Sequence, residues 1–322
     1  MAQVAVETSV SKEAKSPSLW KRFFKQWDIQ LMVIPGIVFL LIFHYIPMYG
    51  VLTAFKDYDL FNGFFGSPWV GLKHFKMFFE SPDFPRVMRN TIMISLFKLL
   101  IAFPAPIILA LMLNEVRNKL FKNVVQTVTY LPHFLSWVVV AGFVTSFLST
   151  DNGSLNIALQ KLSMIDEPIN FLAIPEYFWT ILISTGIWKD IGFGSIVYLA
   201  AIAGIDPALY ESASIDGASR FKQIYLITLP CIFPVIMIFL ILQIGSLMNA
   251  GANGGYEDIL LLSANPVLRE YSDVLDTFVY RTGIQNQLFS YATAVGLFKA
   301  VLSIVLLSGA NFLARRTGQS LW

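Results

Sequence analysis

The stretch Ile29–Phe55, IQLMVIPGIVFLLIFHYIPMYGVLTAF, runs for 27 residues without an Asp, Glu, Lys or Arg. A helix needs about 20 apolar residues to cross a hydrocarbon core of about 30 Å, so this run is long enough for one crossing. Two further uncharged runs, Asn123–Thr150 and Gln223–Tyr256, also exceed that length. Three more are interrupted near the middle: Asn90–Asn114 by Lys98, Tyr177–Ile205 by Lys189 and Asp190, and Thr282–Ala314 by Lys299. A lone charge is costly in lipid and is tolerated where it faces a polar cavity or a partner. None of these runs shows the alternating ten-residue pattern of a barrel strand, and only internally bonded backbone crosses lipid. The sequence therefore predicts an all-α membrane protein of six transmembrane helices, at about 29–55, 90–114, 127–150, 177–205, 227–249 and 288–314.

Composition agrees with that class. The 322 residues are 56% hydrophobic and 14% charged, and the mean hydropathy is +0.63. A soluble domain carries about 25% charged residues, so this chain lacks the polar surface to cover a water-facing globule of its size. The net charge of +2, with no basic block interleaved with aromatics, excludes a nucleic-acid partner. Cys231 is the sole cysteine and His44, His74 and His133 are scattered, so disulfide, redox and metal chemistry are not expected.

Six crossings put both termini on one side. With the N terminus inside, the inner connections and termini hold 12 Lys and Arg, against 8 in the longer outer connections. The positive-inside bias thus predicts cytoplasmic N and C termini, with 1–28 and 315–322 as polar ends and 206–226 as an inner loop. An uncharged run of this length is too long for a signal-peptide core. Leu19, Trp20, Phe23, Phe24 and Trp27 recur at helical spacing beside Lys21, Arg22 and Lys25. That pattern suits either an interfacial helix on anionic lipid or an aromatic lead-in to the first span.

The inner loop 206–226 carries the most specific signal. Asp206 is a good N-cap and Pro207 is preorganised for the first turn of a helix. Gly217 is suited to end it in a left-handed conformation, and Ala218 or Ser219 restarts a helix toward Leu229 and Pro230. Ser212, Ala213 and Ser214 give the first helix a small-residue surface open to close approach by another backbone.

Glu211-Ser212-Ala213, three residues, Gly217, nine residues, then Ile227-Thr228-Leu229-Pro230 resembles the EAA signature of membrane subunits in binding-protein-dependent ATP-binding-cassette importers. Ser212 in place of the usual Ala is the one departure. Pro35-Gly36, Tyr45–Gly50, Ala54–Tyr58, Tyr130–His133 and Asp276–Arg281 resemble the permeases of oligosaccharide and polysaccharide importers, the alginate importer among them. The resemblance implies a type I importer permease fold in a bacterial inner membrane. It also implies a second permease subunit, usually a paralogue, two copies of a separate ATPase and an external solute-binding protein that delivers carbohydrate. By that resemblance Glu211, Ser212, Ala213, Asp216, Gly217, Ile227, Leu229 and Pro230 couple the subunit to the ATPase. The chain contains no Gly-Lys dipeptide, so it lacks a phosphate-cradling loop. It is expected to bind no cofactor and to catalyse nothing, with ATP and Mg held by the partner ATPase.

For the pathway, Lys98, Trp188, Lys189, Asp190, Gln243, Asn249 and Lys299 are the candidates. Lys189 and Asp190 read as an intramembrane ion pair, with Gly192 and Gly194 leaving room beside the helix, and Trp188 offers a face for sugar stacking. The alternative is a structural pair in a packing seam. Lys98 and Lys299 either supply positive charge to an anionic sugar, snorkel, or pair with Asp190. Gln243 and Asn249 suit sugar hydroxyls or a neighbouring helix. Outside the membrane, Phe61–Trp69 and Ala250–Arg281 are the longest connections, and their glycines and aromatics suit docking of another protein or ordinary turns. A secondary transporter would need embedded acids, of which only Asp190 is expected, and an intramembrane enzyme would need more than the isolated His44 and His133.

Overall fold

The computed structural model describes residues 26–251, 256–316 and 318. The basic, aromatic segment ahead of Gln26 and most of the tail after Arg316 lie outside them. Residues 26–52 form a unit of their own, containing most of helix α1 (Trp27–Phe55), which includes Pro35 and a π turn at Leu41–Tyr45.

The second unit begins at Thr53. It contains α2 (Lys73–Phe79), α3 (Asp83–Glu115), α4 (Lys119–Phe134), α5 (Trp137–Phe147), α6 (Ser154–Lys161) and α7 (Pro175–Ala203). These are followed by α8 (Pro207–Ile215), α9 (Arg220–Gly245), α10 (Glu257–Leu262), α11 (Leu275–Tyr280) and α12 (Phe289–Arg315). Among the described residues α1, α3, α7, α9 and α12 are each long and apolar enough to cross a bilayer. The sixth crossing departs from the sequence expectation. The uncharged run Asn123–Thr150 is not one straight helix but two, α4 and α5, meeting at 106°. Pro132 turns the chain into a short 3-10 segment, Leu135 is extended, and Ser136 restarts the helix by accepting from the backbone of Val139 at 3.4 Å. Apolarity without a charge conceals such a break; the proline and serine inside the run are its signal.

A larger departure concerns 257–281, which reads from sequence as an external connection with exposed aromatics. In the structure much of its apolar surface is buried, while Val267, Arg269 and Glu270 stay exposed. Ile259, Leu262, Leu268 and Val274 pack with Ile94 of α3, Val140 and Val144 of α5, and Phe178 and Leu182 of α7. Leu275 and Phe278 pack with Phe78 of α2, Val87 of α3, and Tyr291 and Val295 of α12. Polar bonds fix the register. Buried Asn90 donates to the carbonyls of Glu270 (2.9 Å) and Asp273 (3.1 Å), and Thr91 Oγ1 accepts from the amide of Leu275 (2.9 Å). Arg281 grips the Asp273 carboxylate through two nitrogens at 2.8 and 2.7 Å, and Arg86 adds a third bond at 3.1 Å. A buried carboxylate needs this much compensation to remain charged.

A second seam joins α3, α7 and α9, where Ile107, Ala110, Tyr198, Ile202 and Ile232 meet. The room expected beside Gly192 and Gly194 is taken by this chain's own helices. A Cβ at Gly192 would stand 2.2 Å from the carbonyl oxygen of Thr129, and one at Gly194 would stand 3.0 Å from Pro106. Gly192→Ala is therefore expected to push α4 off α7 and cost about 1–3 kcal/mol. Gly186→Ala, on the same helix with nothing within 4 Å of the new carbon, is expected to be neutral or stabilising. Thermal unfolding of the two variants in the same detergent checks this, and equal melting temperatures would contradict the close packing.

Candidate functional site

Two features stand out, one at the end of the helices and one between them. At the end, Asp206 Oδ1 accepts from the amide of Ala208 at 2.9 Å and Pro207 takes the first turn of α8. The helix stops in a paired turn: Gly217 has φ +74°, its amide reaches Ser214 O at 3.1 Å, and the amide of Ala218 reaches Ala213 O at 2.9 Å. These bonds satisfy the last carbonyls of α8, and the positive φ explains why glycine stands there. Ser219 caps α9 through the amide of Lys222 at 3.4 Å, so α9 begins at Arg220, at the restart read from the sequence, and its apolar span follows from 227. Glu211, Ser212, Ser214, Asp216 and Gly217 are exposed and Ala213 is half-buried, while Ile215 is 87% exposed. Ile227 and Leu229 are half-buried at the start of α9 and Pro230 is exposed. The result is a short, rigidly capped helix presenting small, acidic and apolar side chains.

Between α3, α7 and α9 lies a cavity of about 390 Å³, and Lys98, Asp190 and Gln243 all line it. Asp258, which sequence reasoning placed in an external loop, completes the polar lining. Lys98 Nζ bonds Asp258 Oδ2 at 3.1 Å and the carbonyl of Ala250 at 2.5 Å. Asp190 Oδ1 lies 2.8 Å from Nδ1 of His133, whose ring stacks on Phe193 at a centroid distance of 3.9 Å. Phe103, Phe193, Tyr198 and Phe239 supply aromatic walls. A carboxylate, an amide and an ammonium among aromatic faces can exchange hydrogen bonds with hydroxyls and stack on the apolar side of a pyranose ring.

The remaining pathway candidates lie elsewhere. Lys189 and Asp190 are not an ion pair with each other: Asp190 turns to His133, whereas Lys189, 3% exposed, donates to the carbonyl of His133 at 2.6 Å and sits over the Trp137 ring at 5.6 Å. Adjacent residues on a helix point about 100° apart, so they find different partners. His133 accordingly does not stand alone. Trp188 stacks on Phe143 with ring centroids 5.9 Å apart and is outside the cavity lining. Lys299 of α12 pairs with Asp276 of α11, not with Asp190, and Asn249 is half-buried just beyond the end of α9. Asp190 is the acid within a long apolar helix, as expected, and Asp258 and Asp276, on the short helices α10 and α11, are drawn against span lysines. The legible signal for them was the lysines themselves, each of which demands a counter-charge.

The sequence of residues 102–319 matches the model of the family described as binding-protein-dependent transport system inner membrane component. The chain belongs to that family. Protein LplB of Bacillus subtilis (strain 168) is 46% identical to the permease over 291 residues, covering 90% of this chain and 89% of that protein. The polygalacturonan/rhamnogalacturonan transport system permease protein YteP of the same organism is 43% identical, covering 98% and 96%. Among solved structures, a chain of a bacterial alginate ABC transporter in complex with alginate pentasaccharide-bound periplasmic protein superposes with a TM-score of 0.86 at 44% identity, covering 94% of the permease and 99% of that chain. The permease is therefore a multi-pass inner-membrane transport subunit of the type I importer fold.

The Lys98–Asp258 pair ties α10 to the cavity wall. Lys98→Met strips the cation from a buried carboxylate and is expected to cost about 3 kcal/mol, lowering the yield of folded permease. Lys98→Met combined with Asp258→Asn, which removes both charges, is expected to recover most of that yield. Size-exclusion profiles of the single and double variants check the coupling.

Proposed function

We propose that the permease forms half of the translocation route of an ATP-driven importer for uronate-containing oligo- or polysaccharides, and that α8 is the helix on which a separate ATPase acts. The observation that carries the second part is the geometry of α8: a capped helix bearing the Glu211–Gly217 signature, exposed along its small-residue face at the inner end of α9. In this reading both termini and α8 face the cytoplasm, two ATPase subunits hold ATP and Mg below the membrane, a second permease completes the cavity and an external solute-binding protein delivers the sugar. The carbohydrate class is supported by the polymers named for YteP and for the alginate transporter, both of which are acidic. Charge in this half of the route gives no independent support for an acidic cargo. Lys98, Lys189 and Lys299 are each engaged by an acid or a carbonyl of the chain itself, so no cation of the three is left to meet a uronate. Hydroxyls and ring faces are what the lining of this half is built to contact.

In vesicles containing the assembled complex and its binding protein, oligogalacturonate uptake is expected to exceed uptake of a neutral oligosaccharide of equal length. The reverse order would remove the acidic-sugar assignment and leave the permease assignment in place. Glu211→Lys inverts charge on the docking face and Gly217→Pro is incompatible with a positive φ. Both are expected to abolish sugar-stimulated ATP hydrolysis while the permease still inserts, and normal stimulation in both would refute the role of α8. Reporter fusions after Gly217 are expected to read cytoplasmic and those after Asn62 external.

A further inference from the structure

The turn at Gly217 is bridged by side chains as well as by its backbone. On α8, Ser214 Oγ donates to the carbonyl of Tyr210 at 2.7 Å and accepts from Gln223 Nε2 of α9 at 3.0 Å. The same Gln223 nitrogen donates to the carbonyl of Ala218 at 3.1 Å. The carbonyl of Gln223 receives the Thr228 hydroxyl at 3.4 Å, and Thr228 Oγ1 lies 2.9 Å from the hydroxyl of Tyr210. The path thus starts on α8, crosses to α9 and returns to α8 one helical turn away. Thr228 is 1% exposed, so the returning bond is shielded from competing water.

This circuit spans the two softest points of the segment. One is Gly217 itself. The other is the π turn Ile224–Thr228, in which the amide of Leu229 reaches back to the carbonyl of Ile224; such turns are where helices bend. A force applied to α8 has to pass both before it reaches the axis of α9. Two attachment points, Tyr210 and Ser214, fix a line rather than a pivot, so α8 is held against both hinging and swivelling.

We propose that Tyr210, Ser214, Gln223 and Thr228 are positioning residues that brace α8 against the base of α9, so that displacement of α8 moves α9 as one body instead of being lost at Gly217 and the π turn. This rests on the reading of α8 as the ATPase-docking helix. The exposed Arg220–Glu115 pair at 3.0 Å joins the same hairpin to the end of α3, but a surface ion pair contributes little and is not part of the brace.

The test uses the assembled complex carrying Cys231→Ser, with spin labels placed at Leu209 on α8 and Phe233 on α9, both exposed. Pulsed dipolar spectroscopy reads the distance without nucleotide and after trapping with ATP and vanadate. The parent is expected to give one narrow distance in both states. Thr228→Val keeps the shape and loses the hydroxyl; it is expected to broaden the distribution in the trapped state, as is Tyr210→Phe, while Thr228→Ser restores the narrow one. Sugar moved per ATP hydrolysed is expected to fall roughly three- to tenfold in Thr228→Val and Tyr210→Phe, with complex yield unchanged. A narrow, nucleotide-independent distance in both variants overturns the brace. Glu211→Lys separates that result from failure of the underlying reading: if it loses the ATPase while the distances in Thr228→Val and Tyr210→Phe stay narrow, α8 is the docking helix and only the brace is wrong. If Glu211→Lys retains the ATPase and normal stimulation, the docking reading fails and the brace fails with it.

Discussion

Opposite charges inside an apolar bundle hold this permease together. Lys98 and Lys299 stand in the middle of two membrane helices, and each is answered by an aspartate from the segment between α9 and α12, Asp258 in one case and Asp276 in the other. Asp273 of the same segment is gripped by Arg86 and Arg281. Removing one member of such a pair leaves a charge in a low-dielectric interior, which costs several kcal/mol. These contacts explain why 257–281 packs closely against the helices, and why its Ile259, Leu262, Leu268, Val274, Leu275 and Phe278 take part in two hydrophobic clusters. The pairing also sets the chemistry of the cavity. With Lys98 committed to Asp258, the polar groups turned to the open space are chiefly the Asp190 carboxylate and the Gln243 amide, between aromatic walls.

Most of the architecture was legible in the sequence because lipid imposes a length rule that a chain cannot evade. Long uncharged runs give the spans, and a capping aspartate, a proline and a glycine with the right spacing give α8 and its turn. The bend between α4 and α5 was harder to see, because a hydropathy reading weighs side chains and not backbone donors, and it is the missing donor of Pro132 and the cap at Ser136 that break the helix. The packing of 257–281 was misread for a related reason. The length, glycines and aromatics of 250–281 suit a docking loop, whereas its charges are halves of pairs whose other halves lie up to 187 residues away, and a linear reading does not match such partners.

The pathway candidates divide along the same line. Lys98, Asp190 and Gln243 share one cavity because α3, α7 and α9 share one seam, whereas Trp188 and Lys189, adjacent to Asp190 in sequence, turn away with the helix, Trp188 to Phe143 and Lys189 to the His133 carbonyl. Asp258 and His133 went unrecognised as neighbours of that cavity, the first because it belongs to the misread segment and the second because one histidine alone carries no pattern. The left-handed Gly217 was the opposite case, a position where local stereochemistry leaves a single residue type and the sequence declares it.

The long reach of the Lys98–Asp258 pair has a consequence for biosynthesis. The two residues are 160 apart, so α3 leaves the ribosome and enters the bilayer well before its counter-charge has been translated. A lysine at the centre of a helix costs about 2.5–3.5 kcal/mol on the insertion scale, and the apolar residues on either side of Lys98 have to outweigh that without help. Lys299 meets the opposite situation, since Asp276 precedes it by 23 residues and is already synthesised when α12 arrives. Final closure of the bundle therefore waits for the last third of the chain, and a ribosome stalled before Asp258 leaves a membrane intermediate with an uncompensated lysine.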